Sequence, residues 1–107
     1  MLAQKKCVPC KGATALTREQ TKEMLAQVSG WELSADGKNI RRRFKFNDFM
    51  SALAFVTKVG GVAEIEGHHP DIMLGWGYAE FMMWTHDIGG LHENDFIMAS
   101  KINALYS

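Results

Sequence analysis

Two short turn signatures, Asp36-Gly37 and Gly77-Tyr78, each stand between extended-type runs, and a long helical pattern separates them. A two-residue turn containing glycine joins antiparallel neighbours, and the connections here are too short for a parallel crossover except through the central helix. Before the first turn, residues 31–34 alternate apolar and polar. After it, Ile40, Phe44 and Phe46 share one face of a strand over 40–46 while Arg41, Arg43 and Lys45 occupy the other. Around the second turn lie the apolar runs 72–76 and 79–85, and glycine in the first central position predicts a type II′ hairpin.

Helical periodicity fills the rest. Thr17 followed by Gln20 is a capping box, and Met24, Leu25 and Val28 continue at helical spacing until Ser29-Gly30 stops the run. Asn47 reads as the next N-cap, opening a helix to about residue 66 with Phe49, Ala52, Leu53, Val56, Val59 and Ala63 along one side. The Gly60-Gly61 pair inside that helix costs about 1 kcal/mol per glycine relative to alanine, which predicts close packing against another element. A last helix over 93–105 turns Met98, Ala99, Ile102 and Leu105 inward, and His92 stands at its N-cap, where imidazole is expected to cap poorly and let the helix start fray. The order α-β-β-α-β-β-α predicts a single-domain α+β fold: a four-stranded antiparallel sheet with helices packed on one face. Residues 1–14 read as a loosely ordered arm before a domain over 15–107.

With 107 residues, 47% hydrophobic and 22% charged, the chain is an ordinary globular domain able to bury a modest core. No apolar stretch approaches a membrane span and the first residues lack a signal-type apolar region, so a soluble cytoplasmic protein is expected, without membrane association. Twelve bases balance twelve acids, but residues 1–58 carry 11 of the bases and five acids, while residues 59–107 carry one base and seven acids. Such asymmetry can mark a nucleic-acid surface. The basic strand face has no interleaved aromatics to stack on bases, and no nucleic-acid partner is expected. The two cysteines, Cys7 and Cys10, form one C-x-x-C with no second pair, which is half of a zinc site, a redox dithiol or no chemical site at all.

All four histidines, His68, His69, His86 and His92, fall in the acidic half. A turn centred on Gly77-Tyr78 sets His69 level with His86, so three imidazoles converge at the open end of the second hairpin. Loop histidines are often only solvated, and imidazole is also the usual zinc ligand, though adjacent histidines generally diverge. The third reading is acid/base chemistry, which wants several groups titrating near neutrality. No nucleophile or phosphate-cradling loop accompanies them, which favours proton transfer without a covalent intermediate.

The run Glu64-Ile65-Glu66-Gly67-His68-His69-Pro70, then Thr85-His86-Asp87-Ile88-Gly89-Gly90-Leu91 and Asp95, resembles the signature of the pterin-4a-carbinolamine dehydratase family. The resemblance extends back through Asn47-Asp48-Phe49 to Gly30-Trp31, covering about residues 15–107. It implies the same α+β fold, a homodimer or homotetramer, and loss of water from 4a-hydroxytetrahydropterin to give quinonoid dihydropterin, which recycles a tetrahydrobiopterin-type cofactor of aromatic amino acid hydroxylases. Neither proton step calls for a metal or bound cofactor; the pterin is the substrate. Carried over by position, His68 and His86 act as the acid/base pair and His69 holds the pterin and shares in proton transfer. Glu64, one helical turn before His68, is placed to orient an imidazole. Backbone groups at Thr85, His86 and Asp87 line the ring, as in the family's binding segment, and Asp95 either caps the last helix or joins the site. Two positions depart from the family: Gly67 stands where animal members have an acid, and Trp84 where a small hydroxyl residue is common, altering the rim around the substrate. Some animal relatives also serve as dimerisation cofactors of a transcription factor, so an interaction module is the alternative function.

Overall fold

Thr17 opens the first helix as its spacing predicts. Its hydroxyl accepts the Gln20 N–H at 3.2 Å and the Gln20 side chain accepts the Thr17 N–H at 2.9 Å, starting α1 over Arg18–Leu25. The computed structural model describes residues 2–8, 14–85 and 88–106. α1 ends three residues before Val28, and a series of turns follows to Gly30 at φ +84°. The first hairpin pairs β1, Glu32–Leu33, with β2, Ile40–Lys45, in the register that Asp36-Gly37 sets, Leu33 facing Ile40. In the turn, Ser34 Oγ accepts the Lys38 and Asn39 N–H groups and donates to Asp36, whose carboxyl is held below the usual range by that bond first and the Lys38 N–H next.

The central helix, α2 over Phe49–Glu66, is capped by Asp48, not Asn47: Asp48 Oδ1 accepts the Ser51 N–H at 2.7 Å. It buries Ala52, Phe55, Val59 and Ala63, while Phe49 is 40% exposed. Gly60 and Gly61 do not pack against a neighbour: among the described residues, no atom lies within 4 Å of where a Cβ would stand on either. Their small size answers no contact among the described residues. Gly67 ends the helix in the left-handed region at φ +68°, a conformation that glycine adopts without penalty, and both its N–H and that of His68 return to the Ala63 carbonyl.

β3, Asp71–Gly75, and β4, Tyr78–Met83, form the second hairpin, and here the register differs from expectation. The turn residues are Trp76 and Gly77, with Gly75 facing Tyr78 and Leu74 facing Ala79. The positive φ falls on Gly77 (+79°), the second central residue, which excludes the type II′ geometry. Contacts beyond the hairpin account for the choice. The Gly77 carbonyl accepts the Phe46 N–H at 2.8 Å, and the Tyr78 ring lies so close over Gly75 that a Cβ there would stand 2.3 Å from it. Moving the turn by one residue moves every cross-strand partner by two, so inward and outward faces are preserved.

The sheet has the order β1-β2-β4-β3, antiparallel throughout. Ile40, Phe44, Ala79, Phe81 and Met83 are buried on one face beneath α2 and the last helix, α3 over Glu93–Tyr106. The opposite face is open and carries Arg43, whose Nε meets Glu80 at 3.2 Å and whose guanidinium lies 4.3 Å from the Tyr78 ring centre. Arg42 points the other way, over Phe44 at 4.3 Å, with bonds to the Ser29 carbonyl and Asn103. Residues 2–8 lie along the helices: Leu2 is buried in the core, and Lys101 Nζ donates to the Ala3 carbonyl at 2.8 Å.

Candidate functional site

The glycine stop after α2 delivers His68 directly into the interior, where its side chain is 10% exposed. From the other direction, the first turn of α3 presents Asp95, which is fully buried. The two meet at 2.6 Å, His68 Nε2 to Asp95 Oδ1. Asp95 Oδ2 accepts the Thr85 hydroxyl at 2.8 Å and the His92 N–H at 2.9 Å. A carboxylate that takes donors on both oxygens is acceptor-only, so His68 Nε2 carries the hydrogen of this bond, and in the neutral ring Nδ1 then keeps the lone pair. Burial in a low-dielectric surrounding makes each of these bonds strong and its loss costly.

Asp95 therefore caps the helix and contacts His68 at once. It closes the capping box of α3 by accepting the N-cap N–H, and it orients His68. His92 does cap the helix: its Nδ1 accepts the Asn94 N–H at 3.0 Å, so the expected fraying does not follow. The observed hairpin register also explains Thr85. Counted past the last pair, Asp71 with Met82, it sets Thr85 level with His68 and Trp84 level with His69, in place of His69 with His86. Thr85 is further fixed through its backbone, its N–H donating to the Gly90 carbonyl at 2.9 Å. His86 and Asp87, expected in the catalytic and ring-lining sets, lie outside the described residues.

Residues 14–105 match the pterin 4 alpha carbinolamine dehydratase family. The chain belongs to that family, whose name is that of a hydro-lyase. A relative from Halorhodospira halophila bearing the family name is 56% identical over 97% of this chain and 96% of its own length. Pterin-4-alpha-carbinolamine dehydratase 2, mitochondrial, of Arabidopsis thaliana is 44% identical over 97% of this chain and 58% of its own length. Among solved structures, a transcriptional coactivator/pterin dehydratase from Brucella melitensis superposes with a TM-score of 0.84 at 32% identity, covering 88% of this chain and 100% of that one.

Around this dehydratase-family centre stands a more exposed rim. His69 Nε2 lies 3.6 Å from Glu64 Oε1, with both side chains mostly in solvent, so the carboxylate one turn back serves His69 and not His68. Trp84 donates from Nε1 to Asp71 Oδ2 at 3.2 Å. Gly67 contributes the helix stop described above. Sequence reasoning missed Asp71 as the partner of Trp84, and it missed Asn94, whose buried side chain clamps the backbone of Val8. The spacing from His92 to Asp95 was the available signal for the cap; no local signal marks Asn94. Among the described residues, no three His, Cys, Asp or Glu side chains gather as a metal site, and no helix is long and apolar enough to cross a membrane.

Proposed function

We infer that the protein removes water from 4a-hydroxytetrahydropterin to give quinonoid dihydropterin, with His68, His69 and His86 as its acid/base groups. The observation that carries this reading is the buried His68–Asp95 pair. It holds a hydrogen on Nε2, so that the neutral imidazole offers Nδ1 as its acceptor, beside a rim of partly exposed polar and aromatic groups. Breaking the C4a–O bond needs a proton delivered to the departing hydroxyl, while a ring nitrogen gives up its proton as the conjugated imine forms. A neutral His68 with a free Nδ1 is suited to receive that ring proton, and a second imidazole supplies the acid. In this reading His69, with Glu64 beside it, and Trp84, pinned by Asp71, hold the pterin, and Gly67, Thr85, His86 and Asp87 are the further binding residues. Thr85 serves chiefly through Asp95, because its hydroxyl is already engaged there. The free Cys7 thiol suits a reducing compartment, the cytoplasm.

A homodimer or homotetramer forms part of the proposal. β3 is an edge strand with Ile72 and Met73 exposed at 39% and 53%, followed by Trp76 in the turn at 72%, an unprotected edge of the kind that pairs with another chain. The alternative role, an interaction module, draws support from α2, where Met50 and Ile65 are 68% and 82% exposed. One assay decides between them. 4a-Hydroxytetrahydropterin is generated in situ and its dehydration followed at neutral pH without protein, with wild type, and with His68→Ala and His86→Ala. Each substitution should reduce the catalysed rate by about 10²-fold or more, the usual worth of a positioned acid or base. Catalysis that survives both removes the acid/base pair, and a wild type that fails to accelerate the reaction leaves the interaction role.

A further inference from the structure

The His68–Asp95 pair joins two helix ends that the chain connects only through the whole β3–β4 hairpin. His68 follows the last turn of α2, and Asp95 lies in the first turn of α3. A third segment bridges these ends, and it precedes residue 14, where the family match begins. The Cys7 N–H donates to Glu66 Oε1 at 2.8 Å, two positions before His68. Val8 is held at two points by the residue preceding Asp95: its N–H donates to Asn94 Oδ1 at 3.0 Å, and its carbonyl accepts from Asn94 Nδ2 at 2.6 Å. Asn94 is 2% exposed and is in turn fixed through its own N–H on His92 Nδ1. Behind this crossing the segment is anchored by Lys5 on Glu93 at 2.7 Å and by Lys101 on the Ala3 carbonyl.

An arm that merely covered the helices would contribute stability and nothing else. The placement of its bonds argues for more, because they fall on Glu66, two residues before His68, and on Asn94, immediately before Asp95, the two residues whose separation matters. Misplacing a catalytic group by about 1 Å can cost on the order of 10²-fold in rate. A buried imidazole–carboxylate contact of 2.6 Å leaves little room for the helix ends to drift. We propose that Cys7 and Val8 form a strap that fixes the end of α2 against the start of α3 and thereby sets the His68–Asp95 geometry, with Glu66 and Asn94 as positioning residues. This rests on the reading of His68 as a catalytic base.

The test uses the full chain with Asn94→Ala, Glu66→Ala and the two combined, beside Glu66→Gln and His68→Ala. The readouts are kcat and KM for dehydration across pH, and the His68 ring tautomer followed by ¹⁵N NMR. Each strap variant should lower kcat by about 10-fold with KM within about twofold of wild type, as expected when orientation and not binding is lost. Both release the same strap, so the double variant should lose no more than the worse single one. Glu66→Gln should restore most of what Glu66→Ala loses, since its amide oxygen still accepts the Cys7 N–H. The His68 Nε2–H signal should weaken in Asn94→Ala. A lowered melting temperature with unchanged kcat, pH profile and His68 signal overturns the strap. If Asn94→Ala does not fold, hydrogen exchange on wild type decides: a Val8 amide that exchanges freely while the first turn of α3 stays protected also overturns it. Activity retained in His68→Ala removes the catalytic reading alone, and the strap is then judged on the His68 signal in Asn94→Ala.

Discussion

Replacing Asp95 with asparagine changes one atom in the buried centre and inverts its hydrogen-bond logic. Asp95 accepts three donors, from His68, Thr85 and the His92 N–H. In Asp95→Asn the amide oxygen can keep Thr85 and His92, which preserves the cap of α3. The NH₂ group then faces His68 Nε2, now 2.6 Å from Oδ1, and two donors oppose each other. The imidazole resolves this by moving its hydrogen to Nδ1, so the nitrogen that offered a lone pair now offers N–H. Losing the charge-assisted bond costs about 1.5–3 kcal/mol, which for a chain of this size lowers Tm by roughly 5–15 °C.

The effect on rate is larger than the effect on stability implies. With the wrong tautomer presented, the contribution of a positioned base is lost, and kcat should fall by about 10²–10³-fold. KM should change little, because His69, Glu64 and Trp84 are untouched. The assay is dehydration of 4a-hydroxytetrahydropterin generated in situ, at a temperature well below the variant's Tm, with the His68 tautomer read from its ring ¹⁵N shifts. Asp95→Ala is the contrasting variant: it removes the acceptor of the N-cap N–H and of Thr85 as well, and should unfold the start of α3. An Asp95→Asn protein with kcat within about threefold of wild type would refute the tautomer argument. So would a large loss of kcat with the tautomer unchanged.

The half-buried Cys7 thiol is pushed up to about 12, by burial first and by the Glu66 carboxylate next. In the native protein at pH 8 its alkylation should run on the order of 10³-fold slower than that of an ordinary cysteine, and equal rates in native and urea-unfolded protein, resolved by peptide mapping, would contradict this. Because the folded value is raised, the stability it contributes is complete below about pH 9 and is lost as pH climbs toward 12. Gly67→Ala forces a side chain into φ +68° and should cost about 1 kcal/mol in urea unfolding while also lowering kcat, since the same turn aims His68; an unchanged midpoint would refute it. His92→Thr exchanges one acceptor of the Asn94 N–H for another, so Tm should stay within about 3 °C, whereas His92→Ala should lower it. A rise of several degrees in the threonine variant would restore the view that imidazole caps poorly.

Element order was legible in the sequence because it depends on near neighbours. Thr17 and Gln20 find each other within one turn, and Asp36-Gly37 sets its own hairpin. Choices between adjacent candidates were not legible, since distant contacts make them. Asn47 and Asp48 are both good caps, and the packing of Phe55 and Val59 selects the phase in which Asp48 faces Ser51. Gly77 fits either central position of a turn, and the Phe46 N–H together with the Tyr78 ring over Gly75 decides it. In the site, the residue types and His68 itself were visible, but the second role of Asp95 exists only after His68 is brought beside it from 27 positions away. The docking of residues 2–8 was hidden for the same reason, because Asn94 gives no local sign that its amide will hold the backbone of Val8.

The division of charge along the chain takes on another meaning in three dimensions. A molecule with one basic and one acidic end would follow if the halves folded apart, but β2 from the basic half pairs with β4 from the acidic half. Arg43 thereby meets Glu80, and Lys5 reaches Glu93. Among the described residues, the other acids of that half are engaged around the candidate site: Asp95 by three donors, Asp71 by Trp84, Glu66 by the Cys7 N–H and Lys101, and, on the exposed rim, Glu64 by His69. Carboxylates committed in this way hold imidazoles, an indole and the arm in place, and present less free charge to a basic partner. The acidic half thus supplies His68, Asp95 and Thr85 of the candidate site, and the basic half joins it through the β2–β4 pairing and through Cys7 and Val8 on Glu66 and Asn94.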